Sequence, residues 1–172
     1  MKQLLKYNYS KQTQNNTMTK SLFSLFFLLF AFSPLFAQNT SIKKVKYAKT
    51  EIEVPSNYTA NDEYSIANDS FSAQWIYLSK EMVKQGIERQ IINQFEGQLK
   101  YSEETAVVFI SNGQQFSGKK YQLTGDYKLR FRVLAFGIVD GQPLILNLGL
   151  KDDPKSNVTL DELMKKFIQF EK

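Results

Sequence analysis

Two dipeptides constrain the fold more than anything else in this chain. Asn112-Gly113 and Asp140-Gly141 each stand between stretches in which apolar residues alternate or run together. A two-residue β-hairpin needs positive φ at both central positions, and Asn-Gly and Asp-Gly supply it at least steric cost. Residues 105–111 and 114–123 therefore form one hairpin, and residues 127–138 and 142–150 a second, joined through Thr124, Gly125 and Asp126. Four consecutive antiparallel strands follow.

Upstream, residues 50–54 alternate with period two, which puts Ile52 and Val54 on one face, and Pro55 ends the strand. Residues 64–68 read as a short strand. Residues 72–79 read as a longer one, rich in aromatic and β-branched side chains. Ser79 then caps a helix running to about Lys100, with Val83, Ile87, Ile91 and Phe95 on one stripe. Gly86 weakens that helix by roughly 1 kcal/mol relative to Ala, or marks a close approach of another backbone. A terminal helix opens on Thr159, with Glu162 closing a capping box and Val158 and Leu163 a hydrophobic staple. Its buried face is Leu160, Leu163, Met164, Phe167 and Ile168.

The fold class is α+β: an antiparallel sheet flanked by a long central helix and a C-terminal helix. Residues 49–172 form its single globular domain, and residues 38–48, polar and Lys-rich, a disordered lead-in.

Before that domain lies a secretory pattern. Lys20 supplies a positive start, Leu22 to Phe32 an apolar run, and Ser33-Pro34 a break before Ala37. Residues 1–37 are expected to be a signal peptide cut near Ala37-Gln38, with Met18 the suspected true start. The apolar run is shorter than the roughly 20 residues of a membrane span, although an uncleaved anchor is the alternative. The expected location is periplasmic or secreted, with no transmembrane segment in the mature chain. Four of the 22 basic residues (Lys2, Lys6, Lys11, Lys20) and none of the 17 acidic ones precede residue 38. The net charge of +5 thus falls to 18 against 17, near +1, in the mature part. Overall charge gives no support for binding nucleic acid.

With no Cys the domain has no disulfides, and with no His it has no imidazole base, Ser-His-Asp triad or ordinary zinc site. No catalytic residue, metal ligand or cofactor is assigned. The carboxylate pairs Glu103-Glu104 and Asp152-Asp153 are placed in loops, where solvation explains them better than acid–base work. The remaining polar constellation is a basic patch on the strands around Gly125. A three-residue loop there pairs Leu123 with Tyr127, Tyr121 with Leu129 and Lys120 with Arg130. Lys120, Gln122, Lys128, Arg130 and Arg132 then share one face, a surface for an anion or an acidic partner unless it is only a solvated sheet face. Farther along, Leu134, Phe136 and Ile138 switch phase relative to Leu129, Phe131 and Val133, which calls for a bulge near Ala135 or for cover on both faces.

The segments Glu51-Ile-Glu-Val-Pro55, Gly118-Lys-Lys-Tyr121 and Leu160 to Phe170, in this order of strands and helices, resemble the PsbP-like superfamily. That group is known from extrinsic photosystem proteins, a nuclear-import factor and small bacterial envelope proteins. The resemblance implies an α/β/α sandwich serving as a binding or assembly module, and carries no site residue with it. The expected function is an exported, soluble, non-enzymatic binding or accessory domain of the bacterial envelope with a protein partner. The alternatives are a hydrolase using carboxylates or Ser/Lys, and a small-ligand carrier using the aromatic interior around Trp75, Tyr77, Phe109 and Phe116.

Overall fold

The computed structural model describes residues 42–170, so the leader, its cut and the start at Met18 lie outside the described residues. Eight strands build it: β1 (Lys44–Tyr47), β2 (Thr50–Glu53), β3 (Ser65–Ala67), β4 (Phe71–Tyr77), β5 (Tyr101–Ser111), β6 (Gln114–Leu123), β7 (Phe131–Val139) and β8 (Gln142–Leu150). The first two form a separate hairpin. The other six make one antiparallel sheet in the order β3-β4-β8-β7-β6-β5. Both expected tight turns are present: φ is 47° and 76° at Asn112 and Gly113, and 51° and 80° at Asp140 and Gly141.

The sheet has two dissimilar faces. On one, Phe71, Ala73 and Trp75 of β4 meet Leu144, Leu146 and Leu148 of β8, Val133 and Ala135 of β7, and Phe116 of β6. Strand periodicity puts these residues on a common side. The β1–β2 hairpin and the C-terminal segment close over them with Val45, Tyr47, Ile52, Leu160, Leu163, Met164 and Phe167. Phe167 lies at the centre, its ring 5.6 Å from Trp75, 5.0 Å from Tyr47 and 6.0 Å from Phe71. Gly137 is needed beneath Phe116, because a Cβ there would come within 2.6 Å of that ring.

The other face carries a smaller cluster. Tyr121, Leu123 and Leu134 pack against Ile92, Phe95 and Leu99. Ile92 and Phe95 belong to a helical segment split into α1 (Lys80–Lys84) and α2 (Ile87–Glu96), and Leu99 follows it. Both faces of β7 are covered as far as Phe136, which explains the phase switch there, while Ile138 beyond it is exposed; the ladders to β6 and β8 run without a bulge. The irregularity lies instead in β5, between Tyr101 and Glu103.

Several expectations need correction. No long central helix exists among the described residues. Gly86 takes φ 70°, in the left-handed region, and breaks the segment into two short helices. Ser79 does cap the first, its Oγ accepting from the Met82 amide at 3.2 Å. The C-terminal helix is reduced to α3 (Met164–Phe167), preceded by a 3₁₀ turn at Asn157–Thr159. Its cap is Asp161, whose carboxylate accepts from the Leu163 and Met164 amides at 2.9 and 2.8 Å. A carboxylate two and three residues ahead outcompetes the Thr159 hydroxyl, and Val158 is exposed instead of stapled. The five residues of the expected buried face are nonetheless all buried.

Within the supposed lead-in of residues 38–48, Lys44–Tyr47 is a strand, held because Val45 and Tyr47 have the core to cover. Glu103 and Glu104 are on β5, not in a loop. Among the described residues no helix is long and apolar enough to cross a membrane.

Candidate functional site at the β6–β7 end of the sheet

The five patch residues come from β6, β7 and the connection between them, and the expected register is wrong. Tyr121 pairs with Arg132 and Lys120 with Val133, three residues away from the expected partners. An odd shift exchanges faces. The cause is the connection: residues 124–130, not only 124–126, lie outside the strands. They are held by the Leu123 amide on the Arg130 carbonyl, 2.8 Å, and the Arg130 Nε on the Lys151 carbonyl, 3.1 Å.

Lys120 and Gln122 consequently share a face with Phe131 and Val133, while Arg132 lies with Tyr121 and Leu134 on the helix side. Lys120 is tolerated beside the core because its stem and charge are both used. Its Nζ sits 5.9 Å from the centre of the Phe131 ring and 2.5 Å from Asp153.

The patch is not a bare cationic surface. Lys128 pairs with Asp69, and Arg130 with Asp152 at 3.3 Å. Asp153 also meets Lys155 at 3.5 Å. The Lys128 ammonium, bonded to Asp69, holds that carboxyl below its usual range. Nothing in the sequence marks Asp69, Asp152 and Asp153 as partners of the patch, since turn residues announce charge but not which strand end they will meet.

Arg132 differs from the rest. It is the only cation of the patch facing no carboxylate within ion-pair reach among the described residues. Its Nη1 donates to Asn147 Oδ1 at 3.1 Å, and Asn147 Nδ2 in turn meets Gln74 Oε1 at 3.4 Å. Its Nε is buried without a hydrogen-bond partner among the described residues. Burial pulls the guanidinium pKa below its ordinary value. The signal for this corner was present in β8: Asn147 and Gly149 interrupt an otherwise apolar Leu144 to Leu150 run.

The carboxylate pairs do not converge as catalytic pairs do. Glu104 bonds Lys119 at 2.8 Å, which lowers its pKa, and receives the Tyr101 hydroxyl at 3.3 Å; Glu103 takes the Thr105 hydroxyl. Asp152 and Asp153 have separate cationic partners. Among the described residues no three His, Cys, Asp or Glu side chains gather to hold a metal ion. Trp75 is packed on Phe167, and Phe109 is stacked on Phe116 at 5.7 Å. Tyr77 instead borders a cavity of about 360 Å³ at the opposite end of the sheet, with Lys46, Lys49, Tyr64 and Asp140.

No family model matches the chain, and no curated protein matches it. Among solved structures it matches the solution structure of cyanobacterial PsbP (CyanoP) from Synechocystis sp. PCC 6803. Identity is 14%, the TM-score is 0.37, and the match covers 77% of this chain and 94% of that chain.

Proposed function

We propose that this is a non-enzymatic binding or accessory domain of the bacterial envelope, exported by the leader read at residues 18–37. Its docking surface is the sheet end formed by residues 68–70, 124–130 and 151–155. One observation carries the reading: the charges concentrated there are exposed, exchangeable ion pairs. Lys128–Asp69 and Arg130–Asp152 have all four side chains more than half exposed. Exposed pairs contribute little to stability, so a partner can replace one member of each at small cost. Of the paired carboxylates, Glu104, Asp152 and Asp153 are tied to cations.

The test is capture in the native envelope. Full-length protein with a C-terminal tag is crosslinked and purified beside a Lys128→Glu/Arg130→Glu variant. The wild type is expected to recover one partner in near-stoichiometric amount, and the charge-reversed variant to lose it. A clean wild-type bait, or a variant that keeps the same partner, contradicts the proposal.

A further inference from the structure

Arg132 is poorly explained as a structural residue. Arg132 is half-buried with its Nε fully enclosed, and a guanidinium drawn partly out of water is normally met by a carboxylate, because desolvating a charge is costly unless an opposite charge and hydrogen bonds replace the water. Here one neutral amide oxygen, on Asn147, is its hydrogen-bond acceptor among the described residues, and Nε has none. The surroundings nevertheless make room for it. Arg132 lies opposite Gly149 across the β7–β8 ladder. A Cβ at Gly149 would come within 3.4 Å of Arg132 Nη1, 2.7 Å of Leu129 Cδ1 and 2.6 Å of the Ser72 hydroxyl. The guanidinium, the Leu129 side chain and a hydroxyl all reach the space above one glycine, where any side chain would displace them.

We propose that Arg132 is a receptor for a carboxylate, supplied by an Asp or Glu side chain of the docked partner. This inference rests on the docking reading above. The guanidinium offers a planar fork of donors, and the Nε and Nη2 edge is unused; a carboxylate matches that edge with two parallel hydrogen bonds. Asn147 and Gln74 fix the opposite edge.

The connection carrying Leu129 is latched by Lys128 on Asp69 and Arg130 on Asp152, the exposed pairs that the docking surface exchanges. Through Leu129, which reaches the same space above Gly149, Arg132 is adjacent to the docking surface.

The test follows the Arg132 Nε–H signal in ¹⁵N-labelled protein, assigned by its loss in Arg132→Met. The probe is N-acetylglutamate α-amide, with the glutamine counterpart as control, at ionic strength held constant with NaCl. A saturable shift with the glutamate probe and none with the glutamine probe is expected. No saturable shift, an equal shift with both, or saturation by inorganic phosphate but not by the glutamate probe would overturn the inference.

Capture separates this inference from the reading beneath it. If Arg132→Met, with its remaining amide spectrum unchanged, recovers as much partner as the wild type while Lys128→Glu/Arg130→Glu recovers none, the docking surface stands and the receptor falls. If the wild type recovers nothing, the docking reading falls and the receptor loses its partner.

Discussion

The two faces of the sheet are built to different standards. Beneath the β1–β2 hairpin and the C-terminal segment lies a continuous core in which Tyr47, Phe71, Trp75 and Phe167 touch ring to ring. Beneath α1 and α2 the buried set is smaller: Tyr121, Leu123 and Leu134 pack against Ile92, Phe95 and Leu99, Ile145 of β8 is also buried on this face, and α2 itself contributes no fully buried residue. Among the described residues, the unpaired buried polar atoms divide the same way. Trp75 Nε1 is on the first face, while Glu88 Oε2, Tyr121 Oη and Arg132 Nε belong to the second. Apolar packing density determines how much a face stabilises the domain. Polar groups left unsatisfied subtract from that, so the helix side is where retention of a residue for another purpose shows.

The largest test of this contrast is truncation at the centre of each face. Phe167→Ala is expected to cost about 3–5 kcal/mol, in the range for emptying a well-packed aromatic site. Leu134→Ala, under a cover of short helices that can settle inward, is expected to cost about 2–3 kcal/mol. Urea unfolding with unchanged slopes measures both. Equal losses, or a larger one at Leu134, would break the comparison.

A smaller effect separates two buried tyrosines. Tyr47 Oη shares a 2.8 Å hydrogen bond with the buried Ser111 hydroxyl, whereas Tyr121 Oη has no hydrogen-bond partner among the described residues. Tyr47→Phe should destabilise by about 1 kcal/mol, and Tyr121→Phe should be neutral or stabilising. Thermal unfolding of the pair decides it.

Both phenols, and Tyr58, are pushed above their ordinary value of 10.0, burial being the first cause in each. Because the folded form holds the proton more tightly than the unfolded chain, their contribution is complete below pH 10 and declines as pH rises beyond it. Stability followed from pH 8 to 12 should be flat and then fall, with a shallower fall in Tyr47→Phe. A decline beginning well below pH 9 would contradict these assignments.

Much of the sheet was legible because its determinants are local. Asn112-Gly113 and Asp140-Gly141 fix two turns, and strand β8 runs over the expected residues 142–150. The buried positions 160, 163, 164, 167 and 168 were readable from spacing alone, even though only four residues there form a helix. What failed depended on choices between close alternatives. Gly86 could weaken a helix or turn it, and its left-handed backbone does the latter. The β6–β7 register depended on loop length, and a seven-residue connection satisfies the apolar faces as well as a three-residue one by pairing Lys120 with Asp153. The basic residues of the candidate site were visible as charge. That three of them would meet carboxylates and Arg132 would meet none follows only from which loops the fold brings to that end.

The most direct test of the central claim, that the helix side keeps Arg132 at the expense of stability, is the thermal unfolding of Arg132→Met. The substitution retains an unbranched stem and removes the desolvated charge and its orphaned donor. An unchanged or higher midpoint is predicted. A midpoint lowered by several degrees would show that the guanidinium is a structural element of this face, and would contradict the account.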